Sequence, residues 1–120
     1  PPQNRNIYLS VDLDKYKPGE TMRLFFSGVS DYPFGVKETF VLKKEDHKVA
    51  EINPEFKTKK TISGNCYPIE TRAEARFIYW KIPAENIPYN DKLTLEVTFC
   101  NPVTPLMPEK IDSRVFLITK

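Results

Sequence analysis

Residues Ile7 to Phe26 read IYLSVDLDKYKPGETMRLFF. Ile7, Leu9, Val11 and Leu13 alternate with Tyr8, Ser10 and Asp12, the period of two expected for a half-buried strand. The alternation stops at Asp14-Lys15-Tyr16-Lys17-Pro18-Gly19-Glu20 and resumes with Met22, Leu24 and Phe26 set against Thr21 and Arg23. Between the two runs, Pro18 presets φ for the first central position of a turn, and Gly19 accepts the positive φ that a type II turn requires at the second. Two strands, A and B, joined by a Pro-Gly turn point to β structure.

The rest of the chain extends this pattern. Glu38–Lys43 (ETFVLK) reads as strand C and His47–Ile52 (HKVAEI) as its short partner after the charged turn Lys44-Glu45-Asp46. Thr58–Ile62 reads as a weak strand D, and Ala75–Ile82 (ARFIYWKI) as strand E, dense in aromatic and β-branched residues. Leu93, Leu95, Val97 and Phe99 alternate with Thr94, Glu96 and Thr98 to make F, and Arg114–Ile118 (RVFLI) makes G. Only Glu70–Ala75 (ETRAEA) has helix-forming composition, and it is too short to stand alone in water. Eleven prolines against four glycines suit loops and edge strands and break long helices. Seven or eight short strands at this spacing predict an all-β fold, a sandwich of two antiparallel sheets.

A chain of 120 residues with 40% hydrophobic and 28% charged residues suffices for one domain and one core. The opening Pro1-Pro2, without Met, reads as a processed product or a piece of a longer protein. Eighteen basic and sixteen acidic residues are interspersed, so no footprint of a nucleic-acid binder is visible. The densest basic run, Lys57-Thr58-Lys59-Lys60, fits a solvated edge strand whose lysines discourage edge pairing. No apolar run approaches the ~20 residues of a membrane span.

The strand I-x-L-x-V-D at Ile7–Asp12, followed by Tyr16-Lys17-Pro18-Gly19-Glu20, resembles the opening of several immunoglobulin-like domains. Among them are the second macroglobulin domain of macroglobulin and complement-type proteins, arrestin-type sandwiches and SKICH domains. Trp80-Lys81-Ile82-Pro83 through Leu93–Val97 is similar to the ending many such sandwiches share. SKICH domains carry an Asp-Trp pair entering the third strand, where this chain has Glu38-Thr39, and an arrestin half is longer. The resemblance implies a contact or scaffolding module without chemistry of its own, and it transfers no functional residue.

The residues themselves argue against an active site. Nucleophilic catalysis by Ser or Cys usually needs a neighbouring base, and the single histidine, His47, sits in a charged hairpin turn. Cys100 and Met107 lie where a blue-copper site would keep ligands, but one imidazole cannot complete that site, nor a zinc tetrahedron. Asp12, Asp14 and Glu20 form the one carboxylate group suggestive of calcium, and they read equally as charged turn residues. Four isolated glycines make no phosphate-binding loop. The expectation is a non-enzymatic protein with no cofactor.

Partner contacts are expected at the loops. In the sandwich plan the B–C and F–G loops gather at one end. They read SGVSDYPFGVK (Ser27–Lys37) and NPVTPLMPEKIDS (Asn101–Ser113). Val103, Leu106 and Met107 stand among Pro102, Pro105 and Pro108, which hold the segment semi-extended and lower the entropy lost on docking. Tyr32 and Phe34 add aromatic area of the kind enriched in interface cores. Tyr32, Phe34, Val103, Leu106 and Met107 are therefore the candidate contacts for a protein partner or for neighbouring domains of the same chain. Apolar residues in such a loop either face a partner or fold back over the core. A structural spacer and a carbohydrate-binding module using Trp80 or Tyr8 are the alternatives. Cys66, in the D–E connection, and Cys100, ending F, fall near the same end and form either a disulfide or a pair of buried thiols. A bridge would imply an oxidising compartment and so an extracellular or cell-surface protein.

Overall fold

A computed structural model describes residues 5–30, 34–54, 56, 66–69, 77–102 and 110–119. Its strands are β1 (Arg5–Val11), β2 (Lys15–Tyr16), β3 (Thr21–Ser30), β4 (Phe34–Val36), β5 (Phe40–Lys44), β6 (His47–Ile52), β7 (Tyr67–Ile69), β8 (Phe77–Lys81), β9 (Lys92–Cys100) and β10 (Lys110–Ile118). One sheet has the order β1-β3-β8; the other runs β2-β10-β9-β4-β7, with β5 also pairing β9 and β6 pairing β5. The protein is thus an all-β sandwich in which predicted strands A, B and E share one sheet and C, F and G the other, the division an immunoglobulin-like plan requires.

Among the described residues every pairing is antiparallel except β2 with β10, where Lys15 and Tyr16 run parallel to Leu117 and Ile118. The exception arises because the chain changes sheets after β1. Asp12 N–H still bonds to Arg23 in the first sheet, whereas Leu117 N–H already reaches the Asp14 carbonyl in the second. A buried phenol holds this crossing: Tyr16 Oη donates to Asp12 Oδ1 at 2.7 Å and accepts from Leu13 N–H at 2.8 Å. Burial, reinforced by the Asp12 hydrogen bond, pushes the Tyr16 pKa far above that of an ordinary tyrosine. Leu13, expected to continue the inward row of strand A, is instead turned outward and 51% exposed.

The turn at Pro18-Gly19 has the predicted form. Gly19 sits at φ +87° and Glu20 N–H bonds to the Lys17 carbonyl. Glu20 Oε1 accepts from Lys17 N–H, and Gly19 N–H and the Glu20 carbonyl tie the turn to Ile82 at the end of β8. Asp12 Oδ1 likewise accepts from Arg23 N–H. The carboxylates of Asp12 and Glu20 thus serve the backbone of the turn region, which accounts for acidic residues there without a cation.

Between the layers, Leu9, Met22, Leu24 and Phe26 face Leu93, Leu95, Val97, Phe99 and Phe116, all buried. β9 shows the alternation directly, its inward residues buried and Thr94, Glu96 and Thr98 half-exposed. Phe26 and Phe99 meet edge to face across the layers at 5.6 Å. Each such side chain contributes about 1.5–3 kcal/mol by leaving water. Predicted strand C corresponds to β5, which pairs with β9; β4, ahead of it, pairs with β9 as well, and Lys37 to Thr39 separate the two. The β5–β6 hairpin turns at Glu45 and Asp46, both at positive φ, as the commonest tight hairpin turn demands. Strand D (Thr58–Ile62), the Lys57–Lys60 run and Glu70–Ala75 lie outside the described residues.

Candidate partner-binding end

The end of the sandwich from which the B–C and F–G connections leave is organised around Gly35. In the sheet, Gly35 stands between Cys100 of β9 and Pro68 of β7. Cys66, just ahead of β7, and Cys100 are joined by a disulfide with Cα atoms 6.1 Å apart. The bridge therefore ties the two neighbours of β4 to each other, and it crosses beside the one residue there without a side chain. A Cβ on Gly35 would collide with the Tyr67 carbonyl oxygen and lie 2.7 Å from Cys66 Sγ. Both cysteines are buried. Of the two readings open in the sequence, the bridged one holds.

Around the bridge the packing is aromatic. Phe34 stands edge-on to Phe99 at 6.2 Å. Phe56 stacks on Tyr67 at 3.9 Å, nearly parallel, and meets Phe40 edge to face. Asn101 and Pro102, the first residues beyond β9, are buried too. The F–G connection thus departs from a point fixed by a covalent bond and by close packing on both sides.

The candidate contact residues fare unequally. Phe34 is 3% exposed and begins β4, so it belongs to the core and not to a loop surface. The B–C connection is also shorter than the sequence suggests. Ser27–Ser30 continue β3 and Phe34–Val36 form β4, because the sheet tolerates Gly28 and Gly35 that read as loop signals. Similarly, Lys110–Ser113 belong to β10. Tyr32, Val103, Leu106 and Met107 lie outside the described residues. Gly35 was missed because its role depends on a neighbour more than thirty positions away in sequence, and nothing local marks it.

Elsewhere, His47 is exposed at the start of β6, opposite Lys44. Among the described residues no three His, Cys, Asp or Glu side chains gather as metal ligands. Among the described residues no helix is long and apolar enough to cross a membrane. Trp80 packs against the core while remaining partly exposed, and Tyr8 is 48% exposed on the outer face of β1. Neither any known family model nor any curated protein matches the chain.

Proposed function

We propose that this protein is a non-enzymatic interaction module of a larger protein, gripping a protein partner at the end of the sandwich where the B–C and F–G connections emerge. The observation that carries this reading is the anchoring of the F–G segment: the Cys66–Cys100 bridge fixes β9 where the segment begins. A connection held at its base and stiffened by Pro102, Pro105 and Pro108 loses little entropy on docking. Val103, Leu106 and Met107 then supply the apolar contact and Tyr32 its aromatic neighbour, while Phe34 supports the end from below. The resemblance to macroglobulin, arrestin-type and SKICH domains supports the same reading, since those are contact modules. A buried disulfide further supports an extracellular or cell-surface setting.

The test is affinity capture by immobilised protein, run in parallel with a Leu106→Ser/Met107→Ser variant. A partner held by the parent and released by the variant supports the proposal. Equal retention by both places the contact elsewhere and defeats it.

A further inference from the structure

Away from the disulfide end, a groove of about 410 Å³ opens between the segment following β6 and the strand β8. Thr21, Asn53, Pro54, Tyr79, Trp80 and Lys81 line it. The β3–β8 register explains how these residues converge. Tyr79 and Lys81 stand opposite Arg23 and Thr21 on the outer face of the sheet, and Trp80, one position out of phase, points inward beside Met22. Since β8 pairs with β3 on one side, Trp80 packs against the core and still presents part of its indole to solvent. Tyr79 is 47% exposed. Two aromatic side chains therefore meet the groove from opposite faces of one strand.

The polar lining is unbalanced. Trp80 Nε1, Asn53 Nδ2 and Lys81 Nζ are donors, and the hydroxyls of Thr21 and Tyr79 can donate as well. Among the described residues no carboxylate lines the groove. Asn53 Oδ1 already accepts from Thr39 Oγ1 at 3.0 Å, which turns the amide so that Nδ2 remains available. Among the described residues, Trp80 Nε1, Asn53 Nδ2 and Lys81 Nζ make no hydrogen bond or ion pair. A ligand that suits this lining has an apolar face for the rings, several acceptor oxygens for the donors and a negative charge for the lysine. The volume falls in the range of small-molecule sites.

We propose that this groove binds an acidic sugar, a uronic-acid pyranose within a saccharide. The C–H face of the pyranose lies on Tyr79 and the exposed edge of Trp80, its hydroxyls accept from Asn53 and Trp80, and its carboxylate pairs with Lys81. This site is separate from the loop end and stands or falls independently of it.

Trp80 is the only tryptophan in the chain, so its fluorescence reports on the groove alone. The experiment titrates the protein with methyl glucuronide and, separately, with the neutral methyl glucoside. A saturable change is expected with the glucuronide, and binding of the glucoside should be at least about tenfold weaker. Tyr79→Ala should weaken glucuronide binding about tenfold or more, and Lys81→Gln should abolish the preference for the acid, both with unaltered melting. No saturable change up to about 50 mM of either sugar overturns the proposal. So does equal affinity for the two sugars, or a preference that survives Lys81→Gln.

Discussion

Leu9 of β1 is held on its open edge by Arg114 of β10, whose Nε donates to the Leu9 carbonyl at 2.6 Å. The Leu9 N–H in turn donates to Asp112 Oδ2 at 2.7 Å. In a parallel ladder, a residue facing position 113 would give its N–H to the carbonyl of 112 and receive the N–H of 114. Here the side chains of 112 and 114 take those places, so the seam between the sheets is closed by side chains where β2 closes it by backbone a few residues later. Charged residues on the inward rows of β10 are thereby explained: Asp112 and Arg114 share the parity of buried Phe116 and Ile118 but reach sideways to β1. Arg114→Ala should cost about 1–2 kcal/mol, since it leaves a part-buried carbonyl unpaired, while Arg114→Lys should recover part of that loss. Chemical denaturation of the two variants measures both, and equal stability of all three proteins would show that the seam does not depend on this bond.

Gly35 and Gly19 are required for different reasons and should fail differently. Gly35→Ala places a methyl against the Tyr67 carbonyl and Cys66 Sγ, so about 2 kcal/mol or more should be lost whichever residue replaces glycine. At Gly19 nothing lies near an added Cβ, and the constraint is φ +87° alone. Gly19→Val should therefore cost roughly 1–3 kcal/mol, and Gly19→Asn distinctly less, because Asn tolerates the left-handed region. Melting of the three variants checks the contrast; an Asn substitution as damaging as Val would show that space, not φ, limits position 19.

The disulfide closes a span of 34 residues, so reducing it should remove about 3–4 kcal/mol by freeing the unfolded chain. Cys66→Ala/Cys100→Ala should melt lower than the parent and be indifferent to reductant. A parent whose melting does not respond to reductant after denaturation and refolding would contradict this.

Tyr16 sets a limit at high pH. Its phenol is neutral when it donates to Asp12, and its folded-state pKa is raised above the unfolded value. The stabilisation is therefore complete below the ordinary tyrosine pKa of about 10 and declines as pH rises beyond it. Stability measured from pH 8 to about 11.5 should fall above about 10, and the Tyr16→Phe variant, less stable at neutral pH, should lose this component of the alkaline decline. Parallel pH profiles for the two proteins would assign the decline to other groups.

These cases show where local sequence was sufficient. Alternation around Pro18-Gly19 and along Leu93–Phe99 made strands A, B and F legible, because a buried face imposes its period on the chain. His47–Ile52 was legible down to its ends. Strands too short to show a period were not: β2 has two residues and β4 and β7 three each, and β4 and β7 carry Gly35 and Pro68, residues that normally mark turns. Such strands exist because β10 and β9 offer edges to β2 and β4, and β4 in turn to β7, a fact of tertiary structure. The assignment of Phe34 to a surface failed for the same reason, since its burial follows from the unrecognised β4. Cys66 and Cys100 could be placed at one end of the sandwich, but only the position of β4 between them shows what the bridge spans.

The central claim is that Leu106 and Met107 serve a partner and not the core. The most direct measurement is the thermal melt of the Leu106→Ser/Met107→Ser variant beside the parent. An interaction surface predicts an unchanged midpoint, because side chains exposed in the free domain add little to its stability. A loop folded back over the sandwich would instead lose about 2–4 kcal/mol of apolar burial, and the midpoint would drop by several degrees, which would contradict the account.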